Sequence, residues 1–110
     1  MGAWGISHLG LWTPDPASLR RFYAELLAAD PVHGEHEPLR VGATVLAFHQ
    51  AHDGAPDQEV GFDLDGAGFE AVGRIRRLGL LERGPLENPQ GRGVSLRDPD
   101  GRRIEIEYRD

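Results

Sequence analysis

The sequence passes twice through the same order of elements, and this repeat limits the fold more than any other feature. Ser7-His8-Leu9-Gly10-Leu11 lies over Gln58-Glu59-Val60-Gly61-Phe62 without a gap. In the first half, residues 5 to 12 read as a half-buried strand with Leu9 and Leu11 on one face and His8, Gly10 and Trp12 on the other. Thr13-Pro14-Asp15-Pro16 then offers a capping aspartate and a proline suited to the first helical position. Leu19, Phe22, Tyr23, Leu26 and Leu27 follow at steps of three and four, which predicts an amphipathic helix ended by Pro31. Val32 to Gln50 reads as short strands broken by Gly34, Pro38 and Gly42, the clearest being Thr44 to His49. After the loop Ala51 to Asp57 the order returns: a strand from Gln58 to Leu64, a helical stretch from Ala67 to Leu78 ended by Gly79, and strand-like Leu80 to Leu86.

The last segment closes the second half with a hairpin. Val94 and Leu96 alternate with Ser95 and Arg97, and Ile104, Ile106 and Tyr108 alternate with Glu105 and Glu107 across Asp98-Pro99-Asp100-Gly101. Pro99 and Asp100 suit the centre of a type I turn, and Gly101 suits the left-handed bulge residue after it. With that bulge Leu96 faces Ile104 and Ser95 faces Glu105, so the apolar residues share one face and Glu105 lies on the other. A plain two-residue loop would mix the faces.

Composition narrows the chemistry. The 110 residues suit one domain with a modest core, and no apolar run is long enough to cross a bilayer. The absence of cysteine excludes disulfides, thiolate catalysis and cysteine-ligated zinc, so a bound metal must use His, Asp or Glu. Twelve basic residues against eighteen acidic ones give a formal charge of −6, which argues against nucleic acid as a partner. All of the basic residues are arginine, which suits carboxylate recognition but is equally a mark of GC-rich coding. Met1 to Ser7 has neither the basic patch nor the apolar stretch of a signal peptide, so a cytoplasmic location is expected. No glycine-rich phosphate loop, serine-nucleophile motif or basic aromatic patch is present.

Three segments together resemble the vicinal oxygen chelate superfamily of glyoxalases, bleomycin-resistance proteins and extradiol dioxygenases. They are Ile6-Ser7-His8-Leu9-Gly10-Leu11, Arg21-Phe22-Tyr23-Ala24-Glu25-Leu26-Leu27, and Asp98-Pro99-Asp100-Gly101-Arg102-Arg103-Ile104-Glu105-Ile106. The resemblance implies an α+β fold of two βαβββ modules, about 1–52 and 57–110, whose curled mixed sheets form a cup with helices outside. It implies a single glyoxalase-like domain, a homodimer, and a divalent metal (Mn, Fe, Mg or Zn) held from the first and last strands of the modules. By position His8, Glu59 and Glu105 are the implied ligands, with Leu46 at a fourth position unable to bind metal. This sequence departs from the common pattern in carrying Glu59 where histidine is usual, and in replacing near Ala28 the glycine that often follows the first helix.

The implied function is a metal-dependent enzyme acting on a small oxygen-bearing molecule, with Glu59 or Glu107 moving a proton. The alternative is a metal-free small-molecule binding protein of the bleomycin-resistance kind, with no membrane or nucleic-acid partner. The same residues also admit bland readings. His8, Glu59 and Glu105 sit at the polar phase of alternating strands, as any solvated strand residue does. Trp12 is either an aromatic wall for a ligand or a packing residue, and Glu107 is either a proton acceptor or rim charge. Arg92 is a candidate for an anionic substrate, as is Arg97, with a salt bridge to Glu105 or Glu107 as the competing role. The pairs His49/His52 and His33/His36 read as solvated surface.

Overall fold

A computed structural model of the chain describes residues 2–32, 38–51, 58–89 and 91–109. The chain divides into two compact units, Met1–Pro56 and Asp57–Asp110, and the division falls in the loop the sequence marks as its midpoint. His33, Gly34, His36 and His52 lie outside the described residues.

In the first unit, β1 (His8–Thr13) leads into α1 (Pro16–Leu27), followed by β2 (Leu39–Val41) and β3 (Thr44–Gln50). The helix begins where the sequence places it. Asp15 is the N-cap, its side chain accepts the Ser18 N–H at 3.1 Å, and Pro16 opens the first turn. Leu19, Tyr23 and Leu26 form its buried stripe, and Tyr23 meets Phe48 of β3 with ring centroids 5.9 Å apart. At the C-terminal end Ala28 stands in the left-handed conformation, φ 50° and ψ 43°, that glycine adopts at lower cost.

The sheet order is β1-β3-β2, with β1 parallel to β3 and β2 antiparallel to it. The register pairs Leu11 with Phe48 on the buried face, and His8, Gly10 and Trp12 with Val45, Ala47 and His49 on the other. The strand is shorter at its start than expected: it begins at His8, and Ile6 remains outside it with 71% of its surface exposed.

In the second unit, β4 (Glu59–Asp65), α2 (Gly68–Arg77), β5 (Leu81–Asn88), β6 (Gly91–Arg97) and β7 (Arg103–Arg109) repeat the scheme in full. The sheet order is β4-β7-β6-β5, with β4 parallel to β7. Among the described residues, the counterpart of β5 in the first unit is the bridge of Pro31 with Leu39. Val60, Val94, Leu96, Ile104, Ile106 and Tyr108 are buried on one side of the sheet, and Ala71, Val72 and Ile75 are the buried residues of α2 after Gly68. These two apolar surfaces supply the unit's core. The architecture is therefore α+β, with a helix and a mixed sheet in each unit.

The final hairpin forms as its residues dictate. Gly101 donates its N–H to the Asp98 carbonyl at 2.9 Å with φ +86°, and the Asp98 N–H donates to the Arg102 carbonyl at 3.0 Å. Leu96 then pairs with Ile104 and Ser95 with Glu105.

The Asp-Pro-Asp-Gly-Arg run has a second use that its turn chemistry alone does not reveal. Arg102 is buried with 2% exposure and donates to the carboxylates of Asp98 and Asp100, each at 3.0 Å, and to the Gln58 side-chain oxygen at 3.1 Å. Among the described residues, no helix is long and apolar enough to cross a membrane.

Candidate functional site

Each sheet has one face turned away from its buried apolar residues, and the candidate residues divide between these faces. On the second unit, Glu59, Gly61, Asp63 and Asp65 of β4 share the open face with Arg103, Glu105, Glu107 and Arg109 of β7. Glu105 stands beside Gly61, and Glu59 is one row away beside Arg103. Glu59 and Glu105 are thus diagonal neighbours on adjacent strands. In the first unit His8 occupies the repeat position of Glu59, at the start of the first strand and one row before the glycine.

The same comparison corrects the fourth position. Gly10 pairs with Ala47 as Gly61 pairs with Glu105, so Ala47 is the repeat counterpart of Glu105. Leu46 pairs with Leu9 and Leu39 and is buried in the core. Neither alanine nor leucine offers a donor.

A hollow of about 250 Å³ opens on this face of the second unit, lined by residues that include Arg83, Asn88, Ser95, Arg103, Glu105 and Glu107. Arg83, Ser95 and Glu105 form one cross-strand row. Leu86 belongs to the next row, opposite Gly93 and Glu107. A register irregularity between Arg83 and Leu86 puts both on the hollow, although three residues apart in a regular strand would face opposite ways.

Gly93 makes room at the floor. A Cβ there would lie 3.3 Å from the Asn88 amide nitrogen and 3.5 Å from both Glu107 oxygens, and the Asn88 amide donates to Glu107 Oε2 at 2.5 Å. Glu107 is thus partly buried and held from one side, unlike a freely solvated rim charge. Neither Asn88 nor Gly93 carries a local sequence signal; only the ladder register brings them under Glu107.

The arginines are sorted differently from the sequence expectation. Arg92 pairs with Tyr108 in the phase of Val94 and Leu96, which puts it on the face opposite Glu105 and outside this hollow. Arg97 contacts Glu82 at 3.4 Å and donates to the Gly101 carbonyl at 3.0 Å, so its ion pair is not with Glu105 or Glu107. Arg109 pairs with Asp63 at 2.9 Å and approaches Asp65 at 3.7 Å. The hydrogen bond from Arg109 to Asp63 and the negative charge of that carboxylate hold the guanidinium above its ordinary pKa. Arg83 and Arg103, which line the hollow, make no ion pair among the described residues.

On the open face of the first unit Trp12 is 52% exposed and stacks on His49, centroids 4.9 Å apart and planes tilted by 32°. The sequence reading puts His49 at the solvated surface; the structure places it part-buried on the same sheet face as His8. Its position relative to Trp12 follows from strand phase, a signal present in the alternation of β1 once β3 is aligned to it. Among the described residues, no group of three or more His, Asp or Glu side chains is gathered so as to hold a metal ion.

The comparisons with known proteins agree with this architecture. Oxidase ChaP-H1 is similar over 98% of this chain and 98% of its own, with 29% identity and a TM-score of 0.84. A glyoxalase/dioxygenase from Nostoc punctiforme shares the fold with 22% identity over 96% of this chain and 91% of its own, TM-score 0.81. So does a lactoylglutathione lyase from Agrobacterium tumefaciens, with 18% identity, 98% and 96% coverage and a TM-score of 0.78. A comparison with curated proteins gives no match. The family model described as a glyoxalase-like domain matches residues 8–107, from the first candidate ligand to the last candidate proton carrier. The chain belongs to the glyoxalase-like family of the vicinal oxygen chelate superfamily.

Proposed function

We propose that this protein is a metal-dependent enzyme of the glyoxalase and dioxygenase kind, acting on a small oxygen-bearing molecule, with a divalent ion held by His8, Glu59 and Glu105. The observation that carries the reading is the repeat register, which sets Glu59 and Glu105 in adjacent rows of one open face and His8 at the equivalent of Glu59. The donor chemistry fits: one imidazole with two carboxylates suits Mn²⁺, Fe²⁺, Mg²⁺ or Zn²⁺. The second unit supplies two carboxylates and the described residues of one chain gather no third donor, so the reading places His8 of one chain with the glutamates of a second in a homodimer. The similarity to an oxidase at 29% identity supports an enzymatic role.

A bound divalent ion would supply Lewis acidity to those oxygens. The chain's own residues do the rest. Glu107, oriented by the Asn88 amide, carries the proton, and Glu59 is the second carboxylate able to do so. Arg83 and Arg103 line the hollow and take the anion-binding role considered for Arg92, while Trp12 is an aromatic wall.

Equilibrium dialysis of untagged protein against Mn²⁺ tests the reading, using wild type, His8→Ala, Glu105→Ala and a subunit-exchanged mixture of the two variants. Binding in wild type, loss in each variant and recovery of about a quarter of the sites on mixing is the expected pattern, since half of the dimers are mixed and each has one intact site. Failure to recover despite proven exchange contradicts the between-chain site, and absence of binding in wild type contradicts the metal. A second reading, capture of a small molecule without metal, is favoured by the exposed Trp12 alone and is separated by binding that survives chelation and Glu105→Ala.

A further inference from the structure

His49 lies on the His8 face of the first unit, and the metal reading above does not use it. Its register partner is Trp12, which shares with His8 the side of β1 away from the core. The indole stacks against the imidazole with centroids 4.9 Å apart and so supports the ring from one side. The ring also leans back along the strand, because a Cβ at Gly10 would meet His49 Cδ2 at 3.1 Å and Nε2 at 3.2 Å. The Cδ2–Nε2 edge of His49 therefore stands over the row of Gly10, which lies between Trp12 and His8. Gly10 pairs with Ala47, so that row carries nothing larger than a methyl group.

His8 borders the same gap from its other end. Its Nδ1 shares a hydrogen bond of 3.0 Å with the Ser7 hydroxyl. With Nδ1–H as the donor to that oxygen, Nε2 keeps its lone pair for a metal, as in sites where an outer partner holds the second nitrogen of a ligating histidine. Residue 8 is one two-residue step, about 7 Å, from residue 10 on the same face, and the His8 ring with two metal–nitrogen bonds of about 2.0–2.1 Å spans a gap of that size. The repeat points the same way. His49 is the first unit's counterpart of Glu107, as Ala47 is of Glu105, so the first unit offers imidazoles where the second offers carboxylates.

We propose that His49 is a further metal ligand, so that the first unit grips the ion with two imidazoles, His8 and His49, across the bare row of Gly10 and Ala47. This rests on the metal reading above and adds to it a nitrogen donor outside the three implied positions. A second imidazole turns the site's preference from Mg²⁺ and Mn²⁺, which suit carboxylates, toward Zn²⁺. Gly10 is the position that leaves room for the His49 ring.

In the experiment, protein labelled with ¹⁵N-histidine is titrated with Zn²⁺, and the imidazole nitrogen resonances of His8 and His49 are identified by their loss in His8→Gln and His49→Gln. The expected result is that Nε2 of both moves to the metal-bound position together, complete at about one equivalent per chain. By calorimetry, His49→Gln is expected to bind Zn²⁺ about a hundredfold more weakly and Mn²⁺ about tenfold more weakly or less. That change of selectivity separates a ligand from a structural role, since a loosened fold weakens both ions alike. Gly10→Ala, folded by circular dichroism, is expected to weaken Zn²⁺ several-fold by displacing the ring. A His8 resonance that moves while His49 stays overturns the proposal and leaves the metal reading standing. Movement of both, with Zn²⁺ affinity unchanged in Glu59→Ala and Glu105→Ala, supports His49 as a ligand and overturns the carboxylates. Movement of neither overturns both.

Discussion

Glu105 stands directly opposite Ser95 across the β6–β7 ladder, on the face that Ile104 and Ile106 do not use. That placement depends on the turn between the two strands. Gly101, at φ +86°, absorbs the extra residue of the bulge, and without it the alternation of β7 would slip by one and turn Glu105 toward the core. Gly101→Val puts a β-branched side chain where L-residues are strained. A loss of about 1–2 kcal/mol in urea denaturation is expected. Wild-type stability in this variant would show that the bulge is not what sets the register.

The ion pair beneath the turn matters more to stability than the turn glycine. Arg102 and Asp98 have wholly buried side chains 3.0 Å apart; removing Asp98 leaves the buried guanidinium to Asp100 and Gln58 and takes away the acceptor of the Asp100 and Arg102 N–H groups. Asp98→Ala is expected to cost about 3–5 kcal/mol, a large part of the stability of a domain this size. The double change Asp98→Leu with Arg102→Met is expected to cost less than the single one, because the desolvated charge is removed with its partner. Denaturation midpoints of the three proteins decide this, and a double variant less stable than Asp98→Ala contradicts it.

Ala28 offers the opposite case. Its left-handed conformation at the end of α1 costs an L-residue about 1–2 kcal/mol, whereas glycine loses about 0.5–1 kcal/mol through its greater unfolded-state freedom. Ala28→Gly is therefore expected to stabilise the protein by roughly 0.5–1 kcal/mol, read as a higher melting temperature. A lower melting temperature would contradict the assignment of strain to this position.

Much of this fold is legible in the chain because its signals are local. Asp15 and Pro16 announce α1, Gly79 closes α2, and the hairpin's turn residues determine which side of β7 carries Glu105. What local pattern misses is phase in strands without alternation. Thr44-Val45-Leu46-Ala47-Phe48 is apolar at four successive positions, so nothing in it marks Leu46 as buried and Ala47 as the counterpart of Glu105; only pairing with β1 does so. Gly91 and Gly93 flank Arg92 with the same effect, and Arg92 lies on the buried-residue phase of β6. The irregular register between Arg83 and Leu86 cannot be read from spacing, and it is what brings Arg83 to the hollow. Asn88 reaches Glu107 from 19 positions away in the chain, a relation that no local pattern contains.

The central claim is that His8, Glu59 and Glu105 hold one divalent ion. Elemental analysis of protein purified without a histidine tag, before and after reloading with Mn²⁺, Fe²⁺ or Zn²⁺, tests it most directly. The account predicts about one equivalent per chain in wild type and loss in His8→Ala, Glu59→Ala and Glu105→Ala, each still folded. Less than about a tenth of an equivalent in reloaded wild type, or full metal content in all three variants, would contradict it.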